Sequence, residues 1–342
     1  MLAAIAMMAP GALIALMIGH HALAIGTRLR LLDYPDVDGG RKLHATVTPL
    51  VGGLAVVAAL LPPVLLLWAQ PSSLAQDQMI SWFIITVVGL YVIGIADDRF
   101  GLTAPFRLGM AIALLVLAIG AVPRFNLHFL LFSGQTELIL LPGLVGVGFT
   151  LLCLVGFLNA VNMADGKNGL VIGQALIWSV ILMVRLPQWL LPIVAAVSGA
   201  LAVLFFYNMK GRLFLGDGGS YALSAIFGLL AVVGWNAGFA DFRADDVALI
   251  FAVPVFDTLR LMVQRMLHRK SPFTAGRDHL HHYLYERWGW PRPLTWVLAL
   301  VALPNAGAIL LPGTAHWWLL VTFIGYVALI GAAIYKPKVS AG

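Results

Sequence analysis

Residues 79–98 read MISWFIITVVGLYVIGIADD. Positions 79–96 carry no charged side chain, and Asp97 and Asp98 follow at once. An uncharged apolar run of that length is a transmembrane helix candidate. In hydrocarbon its backbone N–H and C=O groups must be satisfied within the segment, which selects helix. Similar apolar runs recur at about 2–25, 51–69, 107–122, 138–158, 170–184, 190–207, 220–236, 247–266, 294–311 and 316–335. At roughly 20 apolar residues per span, the chain is predicted to be an all-α polytopic membrane protein of about 11 transmembrane helices. The stretch 124–137, with alternating apolar residues around Ser133 and Gly134, reads as a small extramembrane hairpin.

Composition agrees. Of 342 residues, 61% are hydrophobic and 11% charged, whereas a soluble domain carries about 25% charged residues. A soluble enzyme, a disordered chain and a coiled coil are excluded. With no repeat and no low-complexity linker, residues 1–342 form one membrane domain. The N-terminal MLAAIAMMAPG lacks a basic region and reads as a first span, not as a cleaved signal. Cys153 is the one cysteine and lies in an apolar run, so an intramolecular disulfide and a thiolate metal site are both excluded.

The charges that remain are arranged by side. Of the 21 Lys and Arg residues, all but Arg124, Arg185 and Arg243 fall in loops 28–42, 97–107, 159–169, 208–219 and 260–293 and in the C-terminal tail. The positive-inside rule then puts the N-terminus outside and the C-terminus in the cytoplasm. The net charge of +6 is accounted for by that asymmetry, and no nucleic-acid partner is required.

The same face collects the candidate chemistry. Asp97 and Asp98, paired at a membrane boundary, repel each other unless a cation intervenes; Mg²⁺ suits such a pair, and a solvated helix end is the alternative. Asn159, Asn162, Asp165 and Asn168 recur every third residue, which on a continuing helix gives one polar face for a sugar, a ribose or a hydrated metal. The alternative is an Asn-rich turn. Asp217, in the glycine-rich 214–220 segment FLGDGGS, is a second metal-ligand candidate or a helix N-cap. His279, His281 and His282 lie in the most basic loop and suit a polyphosphate better than zinc, or else are part of a plain basic loop. Asp257 is either functional or paired with Arg260, and Pro254 before it predicts a kink. Lys42 and His44, with Arg41, extend the anion site, and Arg265 joins the substrate-binding set. Asp33, Asp36 and Asp38 read as a solvated loop. The Trp residues read as interfacial anchors; His20, His21 and His316 read as interfacial or satisfied polar groups. Carboxylates with Mg²⁺ beside basic donors suit phosphoryl transfer, and a site bordering lipid suits a lipid substrate.

As an ordered set, KLHATVTPLVGG (42–53), ADD (96–98), NAVNMADGKNGL (159–170), FLGDGGS (214–220), PVFDTLRLMVQR (254–265) and SPFTAGRDHLHH (271–282) resembles the polyprenyl-phosphate N-acetylhexosamine-1-phosphate transferases. The likeness is to the bacterial undecaprenyl-phosphate GlcNAc-1-phosphate transferase (WecA-like) branch in particular. It implies transfer of GlcNAc 1-phosphate from a UDP-sugar to undecaprenyl phosphate, with release of UMP. It further implies Mg²⁺ (Mn²⁺ as alternative), a multi-pass position in the bacterial inner membrane with a cytoplasmic active site, and initiation of a cell-envelope glycan such as O antigen. By resemblance, Asp97, Asp98 and Asp165 are catalytic; Asp217, with Asp98 and Asn162, holds metal. Lys42, His44, Asn159, Asn168, Arg265, His279, His281 and His282 bind substrate. The family's D-G-x-D-G-L is changed at Asn168, its loop Asp at Gly276 and its Arg at Leu50. Other UDP-amino sugars (GalNAc, QuiNAc or FucNAc type), a phospho-MurNAc-pentapeptide transferase and an anionic-solute transporter are the competing readings; a homodimer is left open.

Overall fold

The structure, a computed structural model, describes residues 2–35, 46–269, 271, 276 and 278–335. Lys42 and His44 lie outside the described residues, as do Asp36, Asp38 and Arg41.

The first apolar run is three helices, α1 (Leu2–Ile5), α2 (Met8–His20) and α3 (Ala22–Leu29), the last two bent by 69° at His21. A two-residue strand β1 (Leu32–Asp33) pairs antiparallel with β2 (Thr48–Pro49). Asp33 is therefore fixed opposite Thr48 and half-buried, not a freely solvated loop residue. Then come α4 (Gly52–Ala58), α5 (Leu61–Trp68), α6 (Leu74–Phe100) and α7 (Ala104–Ala121). Helix α6 begins before its apolar run because Ser73 Oγ accepts the Gln76 N–H (3.3 Å), capping a polar first turn. It stops at Gly101, where φ is +62°.

A hairpin is present but runs past 124–137: β3 (Phe129–Leu130) pairs with β4 (Ile139–Leu140), which lies in the run read as a span. Helices α8 (Leu144–Ala164), α9 (Leu170–Arg185), α10 (Leu191–Met209) and α11 (Gly216–Gly238) follow. The run 247–266 is divided into α12 (Ala244–Ile250) and α13 (Ala252–Leu267). Pro254 has no N–H to offer the carbonyl four residues back, that of Ile250, where α12 stops. The chain ends in α14 (Leu280–Trp288), α15 (Leu294–Leu310) and α16 (Ala315–Ile334).

Six of these helices, α6, α7, α8, α10 (counted from Gln188), α11 and α16, are long and apolar enough to cross a membrane. A seventh results if α2 and α3 form one bent span. The protein is an all-helical polytopic membrane protein. Gly52–Trp68, α9 and α15 are apolar but shorter.

Helix α11 is the axis of the bundle, buried along its length and packed on α4, α6, α8 and α9. Small residues permit this. A Cβ on Gly53 would stand 2.5 Å from the Gly219 Cα, and one on Gly94 would overlap the Asp217 backbone. Trp178 and Trp235 are also interior, packed among Phe157, Phe227 and Phe251 and against Phe129 and Phe239 respectively. The anchor reading fails for those two, whereas Trp68, Trp296 and Trp317 are exposed. Tryptophan placement near a segment end does not say which face of the helix it occupies.

At the hairpin end, Arg185 Nη2 meets Asp246 Oδ1 at 3.0 Å, and Asp245 Oδ1 accepts the Ser133 N–H at 2.8 Å. Arg243 Nη1 donates to the Phe132 and Gln135 carbonyls, both at 3.0 Å. His316 Nδ1 lies 3.8 Å from Asp245 Oδ2. These charges tie the hairpin to the bundle.

Candidate active site

The approach to Asp217 is held by backbone pairing. The Phe214 N–H donates to the Pro49 carbonyl (2.9 Å); Gly52 and Gly53 N–H donate to the Phe214 and Leu215 carbonyls (3.0 and 3.1 Å). Gly216 then takes φ +73°, a left-handed turn that a side chain would strain and whose Cβ would press on Asp98. Residues 49–53 and the glycine-rich motif are thus one folded unit.

Asp98, near the end of α6, meets the start of α11. Its Oδ1 accepts the Asp217 N–H (3.1 Å) and its Oδ2 the Gly218 N–H (3.2 Å). A carboxylate is favoured there by unsatisfied amides and by the helix dipole. Asp97 is buried and ion-paired with Arg107 of α7, whose Nη1 is also 3.7 Å from Asp217 Oδ2. Asn162 Nδ2 donates to Asp217 Oδ1 (2.7 Å) and to Ser220 Oγ (3.0 Å). Four acidic or amide residues from three helices therefore share one end of the bundle with a single arginine bridging two of them.

The one-face expectation for 159–168 is corrected: α8 ends at Ala164, so Asp165 is its C-cap and 165–169 is a turn. Burial, with the Asp98 charge next, pushes the Asp165 carboxyl up to about 7. Asn159 points back along its own helix, donating to the Val155 carbonyl at 2.8 Å. The Asn168 carbonyl accepts the Trp290 indole N–H (2.9 Å). Buried Asn208 accepts the Gly169 N–H (2.6 Å) and donates to the Leu213 carbonyl (3.1 Å), joining this turn to the segment before Asp217.

The histidines lie at the start of α14. The Asp257 carboxylate accepts the Leu280 N–H (3.1 Å to Oδ1), pairs with Arg260 Nη2 (2.8 Å), meets His279 Nδ1 (3.0 Å) and accepts the Tyr326 hydroxyl (2.9 Å). Asp257 thus anchors the histidine helix, and the expected Arg260 pair is present. His281 is buried with its Nε2 unpartnered, and a Cβ on Gly166 would overlap its imidazole. Burial, then the neighbouring His282 and His279, holds His281 well below the ordinary histidine range. Its ring stacks on His279 (5.4 Å) and lies 4.3 Å from that of His282. Arg265 is buried, and a side chain at position 276 would come 3.4 Å from its Nη2.

Sequence reasoning passed over Arg107, Asn208, Tyr285 and Trp290. Arg107 had a signal, a charge in the first turns of an otherwise apolar helix; the others had none.

Among the described residues, no three His, Cys, Asp or Glu side chains form a metal cage. Mg²⁺ needs none, since one or two carboxylates and substrate phosphates suffice. The donor set fits: it is all oxygen, and each Asp98 oxygen keeps a lone pair beyond its backbone bond.

One buried and two half-buried carboxylates, with an arginine bridging two of them, form the candidate site at one end of the helical bundle. Residues 80–235, which include Asp97, Asp98, Asn162, Asp165 and Asp217, match the family model described as Glycosyl transferase family 4. Over those residues the chain resembles that family, and it is a phospho-sugar transferase. It is 28% identical over 335 residues to the undecaprenyl-phosphate alpha-N-acetylglucosaminyl 1-phosphate transferase of Yersinia pestis, covering 92% of this chain and 87% of that one. The enzyme of the same name in Escherichia coli (strain K12) is 26% identical over 334 residues, 92% and 86% of the two chains. A Bacillus subtilis (strain 168) protein named "Probable undecaprenyl-phosphate N-acetylglucosaminyl 1-phosphate transferase" is 26% identical over 315 residues, 90% and 84%.

Proposed function

We propose that this protein transfers N-acetylglucosamine 1-phosphate from UDP-GlcNAc to undecaprenyl phosphate, at the cytoplasmic face of a bacterial inner membrane. The products are undecaprenyl diphosphate–GlcNAc and UMP, and the step initiates a cell-envelope glycan such as O antigen. The observation that carries the reading is the meeting of Asp97, Asp98, Asn162 and Asp217 around Arg107. The names of the relatives supply the substrates.

In the reaction a lipid phosphate oxygen forms a bond to the β-phosphorus of the UDP-sugar, and the bond from that phosphorus to the oxygen bridging to UMP breaks. Asp217 and Asp98, with Asn162, would hold Mg²⁺, which supplies charge neutralisation for the phosphates. Asp97 and Asp98 receive the lipid phosphate and take up any proton it carries. Asn162 holds the Asp217 carboxylate in one orientation from 2.7 Å. His281, packed on the Asp165 turn, and His282 beside it face the nucleotide end, where their imidazole nitrogens exchange hydrogen bonds with phosphate or base. Eleven spans with an external N-terminus and a cytoplasmic C-terminus fit this arrangement. The six long helices, the α2–α3 pair, Gly52–Trp68, α9, α15 and the α12–α13 pair supply them.

Purified protein with Mg²⁺, undecaprenyl phosphate and a panel of UDP-N-acetylhexosamines is expected to release UMP, with UDP-GlcNAc as the best donor. No UMP from any donor in active lipid–detergent mixtures would overturn the transferase assignment. A better rate with a GalNAc, QuiNAc or FucNAc donor would revise only the sugar.

A further inference from the structure

Outside the carboxylate cluster, the turn 165–169 and the helix α14 are joined by three contacts between residues more than 100 positions apart. The Lys167 ammonium sits 3.8 Å from the centroid of the Tyr285 ring, a cation–π contact. Trp290, just past the end of α14, donates its indole N–H to the Asn168 carbonyl at 2.9 Å. Between them the His281 imidazole is packed on Gly166, too close to admit a Cβ. The far side of the turn is held by Asn208 and by the Gly166 N–H to the Ala164 carbonyl (2.8 Å).

We propose that Tyr285 and Trp290 are positioning residues that fasten the Asp165 turn to the histidine helix, and so set the width of the sugar-nucleotide site between them. This rests on the transferase reading for its substrate. Both fastened elements lie outside the candidate spans. The substrate they shape is therefore the water-borne one; the lipid phosphate arrives from the bilayer. Neither Tyr285 nor Trp290 has to touch substrate. Each acts through the backbone or ammonium of the turn, so their loss loosens the turn without removing a reacting group.

The test has two readouts on Trp290→Phe, which keeps an aromatic ring and removes the N–H, and on Tyr285→Leu. Hydrogen exchange is followed by mass spectrometry on the substrate-free full-length protein. The amides of 166–170 are expected to exchange roughly tenfold faster in Trp290→Phe, the scale of one lost hydrogen bond to a half-buried acceptor. The amides of 217–222 should be unchanged. Steady-state kinetics should show KM for UDP-GlcNAc raised roughly tenfold in Trp290→Phe and a few-fold in Tyr285→Leu, with KM for undecaprenyl phosphate unchanged. Wild-type exchange at 166–170 in both variants, when they melt as wild type, overturns the proposal. So does a raised KM without faster exchange, because the side chain would then act on substrate directly. If one variant fails to fold, the other carries both readouts. Exchange does not depend on turnover, so failure of the transferase assignment and failure of the fastening are distinguishable.

Discussion

Asp98 does two things that a single substitution can separate. It caps α11 through two backbone N–H groups, and it places a negative charge beside Asp217 and Asp165. Asn keeps one acceptor oxygen and so one of the two bonds, whereas Ala keeps neither. Asp98→Asn should therefore lower the melting temperature less than Asp98→Ala while UMP release falls on the order of a hundredfold or more. Asp98→Ala should lose both. Near-wild-type turnover in Asp98→Asn would reduce the residue to a cap. For Asp217 the expectation is simpler: Asp217→Asn abolishes UMP release in protein that still melts cooperatively. At this scale the sequence spoke clearly only where chemistry is dense. Adjacent aspartates and a carboxylate between glycines are conspicuous. Asn208, Tyr285 and Trp290 are ordinary residues whose partners lie far along the chain, and no local pattern marks them.

Helix α14 is short and amphipathic, and it depends on a buried charge for its place. Asp257 receives Arg260, His279, the Tyr326 hydroxyl and the first amide of the helix. Breaking a buried pair from one side leaves the other charge uncompensated, at a cost of about 3–5 kcal/mol. Asp257→Asn is thus expected to lower the melting temperature and to abolish UMP release, though no part of Asp257 is assigned to the chemistry. A variant with wild-type melting and turnover would show that the histidine helix is held by other contacts. Apolar length foretold where helices lie, because hydrocarbon demands it. It did not foretell the break at His21, since hydropathy along a run carries no information about direction; the break at Phe251 was signalled by Pro254 instead. Nor did the three-residue spacing of 159–168 reveal that α8 stops at Ala164, where Gly166 turns the chain against His281.

Over the whole molecule, the proposed orientation follows from charge. Arg185 and Arg243, among the few basic residues assigned to the outer side, are consumed in tying α9, α12 and the hairpin together. By sequence, the other Lys and Arg residues apart from Arg124 fall in the loops and tail assigned to the side of the carboxylate cluster. An alkaline phosphatase fused after residue 335 should be inactive, and one inserted in the 133–137 hairpin loop active. Strong activity from the C-terminal fusion would contradict the eleven-span arrangement. What made the site legible was scarcity. With 11% of residues charged, each charge costs enough in a bilayer that its position is meaningful.

Helix α11 is buried from Gly218 to Trp235 and is the least apolar of the six long helices. A segment that meets only protein gains little from lipid and relies on close contact with small residues for its place. Its main partners α4, α6, α8 and α9 all precede it in the chain. The ribosome makes them first, so the walls of the carboxylate cluster are synthesised before Asp217, which completes it from the tip of α11.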